Sequence, residues 1–175
     1  DGWLAVKDRK SSRGLLFVFD YNYLAKTYTS GGTGEWFMES VPIGPGKSFR
    51  TEYFVKPVRG FDDFTYGSKR LVADIQADET EEGTVRVSHD IATVTEDLDG
   101  ASVELQVIGW KSKQLLVAKS FRINRLSNAK RRQQFSFSTK MLSDGVVISA
   151  VVRSGTEQDR YEFFYAGDKA ERERR

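Results

Sequence analysis

The side chains best suited to chemistry gather early in the chain. Trp36 stands beside Glu35, Glu39 follows three residues later, and Tyr53, Tyr23 and Asp20 flank the stretch. Indole and phenol rings offer flat apolar faces on which the C–H faces of a sugar ring stack. Carboxylates beside them accept hydrogen bonds from sugar hydroxyls. The expected ligand-binding residues are therefore Trp36, Glu35, Tyr53, Tyr23 and Asp20, with Trp3, Tyr21, Tyr28 and Phe37 widening the platform. The competing reading of the same rings is a packed core, because aromatics favour strands and bury well. Phe17 and Phe19, alternating with Val18, belong to that structural set. Glu39 likewise has two readings, a catalytic carboxylate or a solvent-facing strand residue.

Composition removes most other chemistry. The chain has no cysteine and one histidine. It therefore has no disulfide framework, thiolate metal site, cysteine nucleophile or multi-histidine zinc site. His89, between Ser88 and Asp90, reads as a surface or strand-end residue, and no serine sits at a nucleophile elbow to complete a triad. The 27 Lys plus Arg against 25 Asp plus Glu leave a net charge of only +2, too little excess for a nucleic-acid partner. Gly31-Gly32-Thr33-Gly34 precedes a strand-like run, not a helix N-terminus, and so lacks the setting of a phosphate loop. The acidic stretch Asp78–Glu82, and Asp97 with Asp99, match no calcium-loop spacing and read as solvated turns. Arg122, Arg125, Lys130, Arg131 and Arg132 offer a basic surface to an acidic partner or polyanionic glycan, or guard exposed strands against edge pairing. No cofactor is expected, and no apolar run is long enough to span a bilayer.

The elements that must position these residues are strands. Short runs rich in aromatic and β-branched residues are expected at 3–7, 15–19, 35–40, 49–55, 70–76, 84–88, 102–108, 114–123, 133–138, 146–153 and 160–165, separated by Gly, Pro, Ser and Asn turn signals. Val103-Glu104-Leu105-Gln106-Val107 and Phe135-Ser136-Phe137-Ser138 alternate with the period of two of a half-buried sheet. Helical spacing is confined to the polar tail after Asp168. The fold class is all-β. Fourteen of the 22 aromatics and all three prolines fall in the first 66 residues. The remainder reads as roughly seven strands with turns at Asp99-Gly100, Ser127-Asn128 and Asp144-Gly145. That pattern predicts an aromatic-rich β region over 1–68, an immunoglobulin-like or fibronectin-like sandwich over 69–168 and a charged tail over 169–175. Trp110 has no cysteine partners of the kind antibody domains carry. The apolar start at Trp3 and the charged finish point to a piece of a longer protein or a processed chain. Absence of cysteine is compatible with several compartments, extracellular or periplasmic being favoured.

Glu39, the turn Pro45-Gly46 and the run Ser48 to Pro57, with Thr51-Glu52-Tyr53-Phe54, resemble the C-terminal strands of the galactose mutarotase-like, or aldose 1-epimerase-like, β-supersandwich. The resemblance covers about residues 3–66. It implies a catalytic base at Glu39, drawing the proton from an anomeric hydroxyl while a histidine protonates the ring oxygen. The histidines of that family are not found here, since His89 lies in the second half. Three functions follow: a carbohydrate-associated module of a larger sugar-binding or sugar-processing protein; a structural or protein-interaction module without a ligand; and an epimerase-like enzyme completed by sequence outside this chain.

Overall fold

In a computed structural model of the chain, the structure describes residues 2–8, 10–19, 24–30, 33–142 and 144–167. Thirteen strands and one short 3₁₀ turn make up its elements, so the described chain is all-β. The sequence expected most of these strands. Leu24–Ser30 (β3) and Tyr66–Gly67 (β6) were not expected.

From Tyr66 onward two four-stranded antiparallel sheets face one another. One runs β11 (Arg131–Ser138), β8 (Thr84–Thr93), β7 (Leu71–Glu79), β6; the other runs β10 (Leu115–Leu126), β9 (Leu98–Gly109), β12 (Val146–Ser154), β13 (Glu157–Tyr165). Alternate residues enter the space between them. Ala73, Val87 and Phe137 from the first sheet meet Val103, Leu105 and Ile148 from the second in one core. This is a sandwich-like architecture built on the period of two visible in the sequence.

The first part of the chain forms a third layer. Strands β1 (Gly2–Lys7), β2 (Arg13–Phe19) and β5 (Tyr53–Arg59) pair in the order β1-β2-β5, while β3 and β4 (Thr33–Met38) form a separate hairpin. Leu16, Val18, Val58 and Phe61 pack with Val72 and Ala92 on the outer face of β7 and β8, and with Val94 just past the end of β8. Those two strands are thus buried on both faces, which is why Leu71-Val72-Ala73 and Ile91-Ala92 read as unbroken apolar pairs and triplets. Gly67 makes the approach of the layers possible: a Cβ there would overlap Leu16 Cδ1 and press on the Trp3 ring.

Three expectations need correction. The strand expected over 49–55 lies at Tyr53–Arg59 and runs through Pro57. Among the described residues it is an edge strand with β2 as its one ladder partner, so the missing N–H of Pro57 breaks no central ladder. Asp99-Gly100 is not a turn. It lies inside β9, where Gly100 takes φ +62° while Asp99 and Ala101 pair with Arg125 and Ile123. Glycine permits a turn without imposing one, and the long ladder to β10 decides. The third concerns His89: β8 continues five residues beyond the expected end at Ser88, to Thr93, and carries this residue into the sandwich core.

Candidate functional site

Strands β2 and β5 set the site. On β2 the even residues Leu16 and Val18 turn inward to the shared core, so Phe17 and Phe19 stand on the outer face. Register brings Phe19 opposite Tyr53 and Phe17 opposite Val55. The β3–β4 hairpin supplies Trp36, whose ring lies 5.7 Å from Phe17 and 5.9 Å from Phe19, and stacks on Tyr53 at 6.1 Å with 19° between the planes. Trp36 is half-buried and its Nε1 is enclosed without a hydrogen-bond partner among the described residues. Tyr53 is 67% exposed. Together they make an aromatic shelf with a buried end and an open end.

The other expected residues fall around this shelf unevenly. Glu35 is exposed on β4, and Glu39 is exposed one residue past its end. Asp20, Tyr21 and Tyr23 lie outside the described residues. Trp3 faces the opposite way, against Gly67. Tyr28 and Phe37 are exposed on the hairpin, the Phe37 ring covered by the Lys26 ammonium at 4.8 Å. Phe17 and Phe19, assigned to packing alone, turn out to hold Trp36. Their place on the same face as Tyr53 needs the β2–β5 register, which alternation within either strand does not supply.

The expectation of a surface His89 is overturned. The side chain has no exposure and lies between the two sheets. Its Nδ1 donates to Gln133 Oε1 at 2.9 Å, which leaves Nε2 to accept from the Tyr161 hydroxyl at 2.6 Å. Burial pushes the imidazole pKa down to about 4, against weaker upward pulls from Gln133 and Asp90. Tyr161 stacks on Tyr66 with ring centres 4.5 Å apart, and the Tyr66 hydroxyl donates to Asp159 at 2.9 Å. Burial, then Asp159, pushes the Tyr66 phenol up to about 12. Arg70 reaches both Glu157 at 2.9 Å and Asp159 at 3.5 Å. The signal was present in the sequence: Val85, Val87, His89 and Ile91 alternate on one face, as do Asp159, Tyr161, Phe163 and Tyr165. With both nitrogens occupied inside the sandwich, His89 cannot serve as acid to an exposed Glu39.

No known family matches the chain, and no curated protein is significantly similar to it.

Several of the remaining charged groups are paired locally. Lys130 and Arg132 converge on Asp90 at 3.0 Å and 2.6 Å. Burial raises the Asp90 carboxyl, but hydrogen bonds from Arg132 and Lys130 outweigh it and hold the group below the usual carboxylate range. Directly across the ladder Asp74 is pushed up by burial, partly offset by hydrogen bonds from Gln76 and the Asp63 N–H. Arg125 pairs with Asp97. The acidic stretch closes the β7–β8 connection, where the Thr80 N–H bonds Thr84 O at 2.8 Å. Among the described residues no group of three or more His, Cys, Asp or Glu is placed to hold a metal ion, and no helix is long and apolar enough to cross a membrane.

Proposed function

We propose that this chain is a carbohydrate-associated β module of a larger sugar-handling protein, binding saccharide on the Trp36–Tyr53 shelf. The near-parallel stack of Trp36 on an exposed Tyr53 carries this reading. A sugar ring would lie against the open Tyr53 face; Glu35 alternates to the face of β4 opposite Trp36, which leaves Glu39, exposed just past β4, as the nearer candidate acceptor for a sugar hydroxyl. The resemblance of residues 3–66 to the mutarotase-like supersandwich supports the same ligand class. The paired acid–base mechanism of that family has no support from His89, so binding is the reading adopted here.

The scaffold is read as an immunoglobulin-like or fibronectin-like sandwich. In chain order its first, second and fifth long strands (β7, β8, β11) oppose the third, fourth, sixth and seventh (β9, β10, β12, β13), with crossovers of the Greek-key kind. Trp110 lies beyond the end of β9 and is 46% exposed, so the core does not rest on a central tryptophan.

Titration with neutral oligosaccharides, followed by tryptophan fluorescence, tests the binding. A saturable change that Tyr53→Ala abolishes is expected, because stacking on an open ring contributes directly to affinity. A flat titration with the intact chain would remove the reading. It would leave the protein-interaction module, favoured by one observation: among the described residues, eight of the 12 exposed large hydrophobic residues lie between Val6 and Val55.

A further inference from the structure

The outer face of the β1–β2–β5 sheet changes character along its length. Gly2, Phe19 and Tyr53 form one row across the three strands, Leu4, Phe17 and Val55 the next, and Val6, Leu15 and Pro57 the third. All three rows are apolar, and the Trp36 hairpin packs on the Phe17, Phe19 and Tyr53 end. At the other end Val6 is 50% and Leu15 41% exposed. The sheet does not continue in this way. In the fourth row Arg13 stands directly opposite Arg59.

Like charges opposed across a ladder are unfavourable. Here both arginines are exposed, and neither guanidinium lies within ion-pair distance of an acid among the described residues. Asp8 follows β1 beside Arg13 and borders the same end; its carboxylate accepts from Lys10 N at 3.0 Å and from Ser11 Oγ at 2.7 Å, and these bonds, with a smaller contribution from the Arg13 charge, hold it below the usual carboxylate range. A trough of about 510 Å³ lies over this end, bordered by Val6, Asp8, Arg13, Leu15, Pro57 and Arg59 among others. That volume is in the range of small-ligand sites. An apolar floor that ends at two arginines set opposite each other, whose two positive charges exceed the single negative charge of Asp8 on the rim, is complementary to a molecule with an apolar body and one planar anionic head, since the guanidinium fork matches a carboxylate in geometry and charge.

We propose that this trough binds a monocarboxylate of the fatty-acid class, its carboxylate between Arg13 and Arg59 and its alkyl chain along Leu15, Val6 and Pro57 toward Val55. Aliphatic side chains rather than aromatic rings line the floor, which fits an alkyl chain better than a sugar. The site is separate from the Trp36–Tyr53 shelf and does not rest on saccharide binding there.

The test is titration of the intact chain with decanoate, decanol and glucuronate, below the aggregation range of the amphiphiles, followed by calorimetry and by amide chemical shifts. Decanoate is expected to bind saturably, with shifts centred on residues 6, 13, 15 and 59. Decanol and glucuronate should each bind at least tenfold more weakly, as each lacks half of the recognised chemistry. Arg59→Gln, and Arg13→Gln with it, should lower decanoate affinity about tenfold or more, the usual effect of losing a charge-assisted hydrogen bond, and leave decanol unchanged. Removing like charges should leave the fold intact, as circular dichroism would verify. If the double variant does not fold, Arg59→Gln alone carries the comparison, with Leu15→Gln expected to weaken decanoate and decanol alike. Equal affinity for decanoate and decanol, indifference to the arginine substitutions, preference for glucuronate, or no binding would each overturn the proposal. So would a ligand-independent dimer in sedimentation that Leu15→Gln dissolves, which would assign the face to a second copy of the chain.

Discussion

At His89 a neutral imidazole is more useful to the fold than a charged one. Its Nδ1–H is used on Gln133 and its Nε2 lone pair on Tyr161, so a second proton would turn the acceptor into a donor facing a hydroxyl. Burial places the folded-state pKa at about 4, below the ordinary value of 6.5. Between those values the unfolded chain takes up a proton that the folded chain refuses, so acid favours unfolding. Stability should be level above about pH 6.5, fall as pH drops toward 4 and level off below as far as this group is concerned. The loss is on the order of 3 kcal/mol for a shift of this size. Denaturant melts of the wild type and of His89→Gln at a series of pH values check this: the variant should lose less stability on acidification. A wild-type curve no steeper than the variant's over that interval would show that the imidazole is already protonated in the fold. At the same scale, Tyr161→Phe leaves Nε2 buried without a donor and should cost about 1–3 kcal/mol at neutral pH.

Elements were more legible in the sequence than their partners. The alternation in β9 and β11 was plain because each has one buried face, and the apolar run in β7 marked a strand without showing that both of its faces are covered. What covers it was not legible, since nothing in Leu71-Val72-Ala73 says that Val72 will meet Leu16 and Val18 from more than fifty residues earlier. The aromatic shelf was half legible for the same reason. Trp36 and Tyr53 stood out by type, whereas Phe17 and Phe19 join them only through the β2–β5 register. Arg13 and Arg59 were silent, because their meaning lies wholly in being opposite each other. β3 was missed because Lys26, Thr27 and Thr29 dilute its apolar pattern. The element interface yields its own prediction at Gly67, where the layers approach too closely for any side chain. Gly67→Val should destabilise by about 1–3 kcal/mol through overpacking, measured by urea denaturation. A neutral result would mean that β2 and β6 separate at little cost.

For the whole molecule the decisive feature is that one sheet belongs to two cores. Strands β7 and β8 contribute Leu71, Ala73 and Ile91 to the sandwich interior and Val72 and Ala92 to the cluster beneath β2 and β5, which Val94, just past β8, extends. Loss of the sandwich removes the floor of the first layer, while loss of the first layer exposes Val72 and Ala92 on strands whose other face stays packed. The β1–β2–β5 sheet therefore cannot outlast the sandwich, and the two should melt together near neutral pH. The three tryptophans allow a direct reading, since Trp3 and Trp36 report on the first layer and Trp110 on the end of β9. In Trp110→Phe, fluorescence should follow only the first layer, and far-ultraviolet circular dichroism the whole set of strands. Coincident urea transitions for the two signals are expected. A fluorescence transition at distinctly lower urea would show that the sandwich stands alone with Val72 and Ala92 exposed. Phe61→Ala sharpens the comparison: Phe61 is 2% exposed within the shared cluster, and its truncation should cost about 3–5 kcal/mol. If the layers are coupled, that loss moves both transitions together; if they are not, it moves fluorescence alone.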